Sequence, residues 1–367
     1  MIGYHKYGFK YSSWLTKRAW WGLTNLRALC MRDVDLTDGE VAGAMADLLR
    51  TTQVLERVDL AADWIGGAGS GAAPCVRKIL LALADNTSMR QFRLSVHNEE
   101  CLLGADIGDA VAVVVRDNRT LRELELDLQI WHDAAYDLEH NEAIEFPSVE
   151  AVARALSTNT TLEKLRLPGL GTKCDVPTAG AMIARNTNLR HLGFYQLALT
   201  ATDMWCLGSG LAGMSSLQSL EVWSVATHPN DEVPTGITGV LRDVLSVGAH
   251  KSPLRRLSLR LCLLDGDEAS TLADLLASKR HMLQELELVQ NNIGDEGAEH
   301  LARALRTNTT LVSLRVEDRS MSCVGVLALL RALQRNAALR VLDFGGTVEV
   351  TPDIQAELQH VHWRVRI

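Results

Sequence analysis

The chain has few aromatic residues and no long apolar run. Only 5% of its 367 residues are Phe, Trp or Tyr, so aliphatic side chains must fill the interior, and Leu alone takes 58 positions. No apolar stretch approaches the roughly 20 residues that span a bilayer. Residues 1–18, MIGYHKYGFKYSSWLTKR, lack the apolar segment of a secretory signal. A transmembrane or conventionally exported protein is not expected. Positive charge is scarce too. The 37 Lys and Arg against 45 Asp and Glu leave a formal charge of −8, the wrong sign for a general nucleic-acid binder, whose affinity comes from a basic surface. The seven cysteines, Cys30, Cys75, Cys101, Cys174, Cys206, Cys262 and Cys323, are scattered and never spaced Cys-x-x-Cys. That excludes a recognisable zinc site or disulfide framework and fits reduced thiols in the cytoplasm or nucleus.

What the chain has is a repeat. NTTLVSLRV at 308–316 finds relatives in NTSMRQFRL at 86–94, NRTLRELEL at 118–126, NTTLEKLRL at 159–167, NTNLRHLGF at 186–194 and NAALRVLDF at 336–344, with looser copies between. The first apolar residue of each copy falls at Leu26, Leu55, Met89, Leu121, Leu162, Leu189, Leu217, Leu254, Leu283, Leu311 and Leu339. Each copy reads L-x-x-L-x-L, and its last two apolar residues alternate with polar ones as a half-buried strand requires. Between copies the period changes. Apolar residues stand three, seven and ten places before the Asn, as in Leu83, Ile79 and Val76 before Asn86, which is one face of a helix. The Asn itself reads as the left-handed residue that ends that helix. The unit is strand, turn, helix, turn, and stacking such units buries a continuous core.

This pattern resembles the leucine-rich repeat family, in its long-repeat ribonuclease-inhibitor-like class. LELVQNNIGDEGAEHLARAL at 286–305 carries the class positions at Leu286, Leu288, Asn291, Ile293, Gly297, Leu301 and Leu305. The resemblance implies an α/β solenoid of about 11 repeats, a horseshoe with parallel strands on the concave face and helices on the convex face. The buried Asn or Cys that the family places after each strand is clear only at Asn291 and Cys262. The matching positions elsewhere hold Val34, His97, Gln129, Leu170, Leu197, Val225, Arg319 and Thr347. The organisation expected is an N-terminal segment 1–22, a solenoid over 23–350 and a C-terminal cap over 351–367, with Val365 and Ile367 directed inward. The segment 1–22 holds Lys6, Lys10, Lys17 and Arg18 among seven aromatics. It reads as a cap over the first repeat or as a basic–aromatic docking arm. Insertions fall at 63–74, 127–147 and 226–236; the second is acidic, with Asp127, Asp133, Asp137, Glu139, Glu142 and Glu145 and no Lys or Arg.

No catalytic, cofactor or metal motif emerges. GGAGSG at 66–71 lacks the Gly-Lys-Ser/Thr ending of a phosphate loop. His132, His140 and Glu142 lack a ligand spacing. The Asn-x-Ser/Thr sequons recur because the turn Asn recurs. A concave wall gives little of the desolvation that catalysis uses.

Strand alternation places two columns on the open face. One runs Cys30, Asp59, Arg93, Glu125, Arg166, Gly193, Glu221, Ser258, Glu287, Arg315 and Asp343, and its alternating signs read as cross-strand pairing. The next holds Tyr195, Trp223 and Arg260, side by side on three successive strands; Tyr, Trp and Arg are the residues enriched at interface hot spots. Together with Arg256, Glu287 and Arg315 they are the candidate binding residues. The expected function is a non-catalytic interaction module that binds a partner protein through the concave sheet and the inserted rim loops. The irregular-then-regular repeats are similar to the ligand-sensing half of NOD-like receptors. Two other readings are an enzyme regulator similar to the Ran GTPase-activating protein, whose acidic tail this chain's HVHWRVRI does not match, and a structural subunit of a cytoskeletal or ciliary assembly. Ribonuclease inhibition itself is not expected, because that inhibitor resembles a Cys-rich array.

Overall fold

The computed structural model describes residues 25–62, 72–98, 105–130, 149–168, 176–197, 201–225, 253–262, 264–278 and 281–367. The segment 1–22, residues 63–71 and 131–147 of the first two insertions and all of the third lie outside the described residues. The chain divides into two compact units, Met1–Tyr195 and Gln196–Ile367.

In the first unit strand and helix alternate without exception: β1 (Ala28–Met31), α1 (Gly39–Thr51), β2 (Arg57–Ala62), α2 (Ala72–Ala84), β3 (Gln91–Asn98), α3 (Ala105–Asp117), β4 (Glu123–Ile130), α4 (Val149–Leu156), β5 (Lys164–Pro168), α5 (Val176–Ile183) and β6 (His191–Leu197). Each strand begins two residues after a repeat leucine, and the pairings from β1 to β6 are all parallel. Register stacks Leu29, Val58, Phe92, Leu124, Leu165 and Leu192 in one inner column. From Val58 onward these side chains are at most 2% exposed. The helix positions read from the sequence face them: Val76, Ile79 and Leu83 are fully buried. Each such aliphatic side chain contributes about 1.5–3 kcal/mol of burial.

The second unit holds α6 (Ala201–Ala212), β7 (Ser219–Val225), β8 (Arg256–Arg260), α7 (Gly266–Ala277), β9 (Glu285–Val289), α8 (Gly294–Leu305), β10 (Ser313–Glu317), α9 (Cys323–Arg335), β11 (Val341–Asp343), α10 (Pro352–Leu358) and β12 (Val365–Arg366). Its strands are again parallel, and Leu220, Leu257, Leu286, Leu314, Leu342 and Val365 share one column. Gly297 is required by close helix packing: a Cβ there would stand 2.8 Å from Ala269 Cβ and 2.9 Å from Ile293 Cβ. Neither unit's described helices are long and apolar enough to cross a membrane.

The turn Asn does something other than the sequence suggests. Asn336 follows α9 with φ −95° and ψ 118°, extended rather than left-handed, and no described Asn has a positive φ. Its side chain is buried and bridges repeats instead. At Asn118 the amide Nδ2 donates to Leu83 O at 2.8 Å and Asn86 O at 2.9 Å in the preceding repeat. Its Oδ1 accepts the N–H groups of Thr120 at 2.9 Å and Leu121 at 2.7 Å. Asn86, Asn159, Asn186, Asn308 and Asn336 repeat this geometry. Asn is used because one short side chain presents both donor and acceptor to backbone groups that would otherwise be orphaned in the core. After Asn336 the ladder passes to Arg364. Its guanidinium donates to Leu333 O at 3.1 Å, to Asn336 O at 2.6 Å and to Leu339 O, completing the stack where no further Asn follows.

Candidate protein-binding face

The face of the strands turned away from the helices is set by alternation, so a side chain's column follows from its place in the strand. The first column read from the sequence is present within each unit, and Trp223 and Arg260 of the other are in register in the second unit. In the first, Cys30, Asp59, Arg93, Glu125, Arg166 and Gly193 lie in register on β1 to β6. In the second, Glu221, Ser258, Glu287, Arg315 and Asp343 lie in register on β7 to β11.

The expected alternation of pairs holds only in places. Glu125 receives Lys164 Nζ at 2.7 Å and Arg166 at 3.1 Å. Burial raises the pKa of this carboxyl, but the two cations outweigh it and hold the value below the usual range. Arg93, between Asp59 and Glu125, is exposed and makes no ion pair among the described residues. Arg315 turns along its own strand to Glu317 at 2.7 Å, rather than across to Glu287 or Asp343, because Glu317 is two residues on and on the same face.

Of the six candidate residues, five form or adjoin one cluster. Glu287 accepts Arg256 at 2.8 Å, Ser258 Oγ at 3.0 Å and Arg260 at 3.1 Å. Arg256 also reaches Glu285 at 2.9 Å and Glu221 at 3.9 Å. Burial raises the pKa of Glu287, and Arg256, Ser258 and Arg260 together pull it below the usual range. Trp223 is half-buried and sits directly beside Arg260 in register. Arg315 occupies the strand beyond Glu287. Arg256 Nε and Arg315 Nε are buried without a hydrogen-bond acceptor, so the network leaves donors unsatisfied.

Tyr195 is the remaining candidate. It closes the first unit, is 7% exposed, and lies under Arg166, whose guanidinium carbon is 5.4 Å from the ring centroid. Gly193 makes this possible: a Cβ there would meet Arg166 Cγ at 2.9 Å. Arg166 and Gly193 were visible as a column but not as the cover of Tyr195, since column order says nothing of which way a long side chain folds.

With repeat, register and buried ladder all present, the architecture is decided. The fold is that of a leucine-rich repeat solenoid. Over 349 residues the chain is 24% identical to the ribonuclease inhibitor of Mus musculus, covering 90% of this chain and 72% of that protein. Over 368 residues it is 24% identical to the ribonuclease inhibitor of Sus scrofa, covering 90% and 79%. No protein-family model matches it.

The buried post-strand positions of this leucine-rich repeat chain are also more numerous than the sequence suggests. Asn291 Oδ1 accepts Cys262 N–H at 3.0 Å, and its Nδ2 donates to Leu259 O at 3.1 Å. The next repeat has Arg319 at the matching position, but Asp318, one residue earlier and 3% exposed, performs the task. It accepts Ile293 N–H at 2.7 Å and Ser320 N–H at 2.7 Å. The Asp-x-Ser spacing was the available signal, because Asp and Ser satisfy local backbone in such turns. Cys262 is a structural thiol: burial pushes its pKa up to about 12, so it carries no thiolate chemistry.

Proposed function

We propose that this protein is a non-catalytic binding module that takes a folded protein partner on the sheet face of its second unit. Trp223, Arg256, Arg260, Glu287 and Arg315 make the contact, and Tyr195 with Arg166 forms a second, firmer patch on the first unit. The observation that carries this reading is the Glu287 cluster. Two arginines and a serine hold one carboxylate in place beside a half-buried Trp, a pre-organised arrangement that loses little side-chain entropy on binding. The similarity to two proteins named for inhibiting a ribonuclease supports binding over catalysis. Free thiols at Cys30, Cys75, Cys262 and Cys323 support work in the reducing cytoplasm.

The test is affinity purification from native cells with the intact chain and with Trp223→Ala and Arg260→Ala variants, each checked by thermal melting. A partner retained by the parent and lost by variants of unchanged melting supports the face as the site. A partner held equally by all three removes the face from the account. Melting that falls with Trp223→Ala means the ring serves as cover rather than contact. Stimulated GTP hydrolysis by a small GTPase in the presence of the chain would replace the pure binder with an enzyme regulator.

A further inference from the structure

The first unit has a groove on the edge where helices turn into strands, distinct from the sheet face. It measures roughly 630 Å³ and draws its walls from five consecutive repeats, from Gln53 and Glu56 at one end to Glu163 and Asn188 at the other. No apolar side chain lines it, so a lipid or aromatic ligand finds nothing to bury there. The backbone of the wall is already engaged: Glu56 O accepts Arg90 and Gln91 N–H, Arg90 O accepts Arg122 and Glu123 N–H, and Arg122 O accepts Glu163 and Lys164 N–H. Recognition therefore falls to side chains.

Those side chains are unevenly committed. At the ends, Glu56 is paired with Arg27 at 3.3 Å and Glu163 with Arg122 at 2.7 Å. In the middle, Arg90 and Arg119 are exposed, come from successive repeats and form no ion pair among the described residues. The Thr87 and Thr160 hydroxyls beside them form no hydrogen bond within the described chain. The centre thus offers donors without acceptors, while each end holds a carboxylate already paired with an arginine.

We propose that this groove binds an extended segment of a partner polypeptide that carries one anionic side chain, a phosphorylated or carboxylate residue, at its centre. Strands lie about 4.8 Å apart, so five repeats extend about 20 Å, the reach of some six extended residues. The guanidiniums of Arg90 and Arg119 take the anionic group by charge-assisted hydrogen bonds. Glu56 and Glu163, each already paired with an arginine, leave the ends without free positive charge, so the groove favours a single central anion over a continuous polyanion such as a nucleic-acid strand. This site stands or falls independently of the sheet face.

The experiment is fluorescence anisotropy with three labelled hexapeptides, alike except for a central phosphoserine, aspartate or serine. At least one anionic peptide should bind with a Kd of about 1 mM or tighter, and the serine peptide about tenfold more weakly or not at all. The ratio of the two anionic peptides identifies which group the site takes. Arg90→Gln and Arg119→Gln should each weaken binding about tenfold with unchanged melting, while Arg50→Gln, outside the groove, should not. Equal binding of the serine peptide, no binding of either anionic one, indifference to both arginine variants, or equally tight binding of a single-stranded oligonucleotide each overturns the proposal.

Discussion

The two edges of the repeat follow opposite rules. Where helix turns into strand, six described repeats across both units use the same Asn with the same bridging amide. Where strand turns into helix, hardly two repeats agree. Asp33, Leu261 and Gln290 adopt left-handed backbone, Cys262 and Asn291 share a hydrogen bond, Asp318 works from a shifted position, and Gly345 and Gly346 close the last regular turn. The described ends of the first two insertions lie on this second edge, between β2 and α2 and between β4 and α4. One largely uniform edge, with Thr52 and His281 among the few departures, is enough to fix the stacking of a solenoid, which releases the other to vary in length and chemistry.

The largest expected effect lies on the uniform edge. Asn118→Ala removes five hydrogen bonds from a side chain 2% exposed and takes the partner from Asn86 O and from the Thr120 and Leu121 N–H groups inside the core, while Leu83 O keeps the Asn86 N–H. A loss of about 3–5 kcal/mol in denaturant unfolding is expected. A loss under about 1 kcal/mol would show that the ladder is incidental and the comparison empty.

On the variable edge the next effect is a pH dependence. Asp265 caps α7, and Glu268 completes the capping box by accepting Asp265 N–H at 3.3 Å. Glu268 is 8% exposed, its Oε1 has no partner, and burial pushes its pKa up to about 7. A carboxyl raised above its unfolded value stabilises the fold fully below about pH 4.5, and that contribution is lost as pH rises through 7. Glu268→Gln keeps the capping acceptor and has no charge to bury. It should therefore exceed the parent by about 3 kcal/mol above pH 8 and match it near pH 4. Parallel pH profiles for the two chains would remove the burial argument.

The Asn ladder was half legible. Its period is plain in the sequence, but its role is not, because a helix-ending Asn is ordinarily read by its backbone, and only the packing of the next repeat shows that the amide reaches across. The strand starts were readable, since alternation leaves no freedom once the leucines are placed, but the ends were not: β4 runs on to Ile130, inside the stretch read as an insertion from 127. The face was readable as columns and not as contacts: nothing in the order of Glu287, Arg315 and Asp343 reveals that Arg315 turns to Glu317, or that Gly193 lets Arg166 lie over Tyr195. Asp318 was missed because the pattern looked one residue too late.

Arg364 tests whether the uniform edge needs its last member. It sits where another repeat's Asn would, 31 and 28 residues after the carbonyls it binds, the same separations as Asn336 from Leu305 and Asn308. Arg364→Ala should lower stability by about 2 kcal/mol. Arg366→Ala, exposed on β12, should change little, and equal effects would assign Arg364 to general charge rather than to the ladder.

The smallest effect comes from the variable edge and has the opposite sign. Leu261 holds φ at 53°, where a Cβ crowds its own backbone, and it is 40% exposed. Left-handed conformation costs a non-glycine residue about 1–2 kcal/mol. The strain persists because Leu261 N–H donates to Val289 O at 2.9 Å, tying the turn to the next strand. Leu261→Gly keeps that bond and removes the crowding. It adds backbone entropy to the unfolded chain, which takes back about half of the gain. A net rise of about 0.5–1 kcal/mol is expected by denaturant unfolding. Any loss would mean that the Leu261 side chain contributes packing that its exposure does not reveal, and that this edge is less free to vary than its sequence suggests.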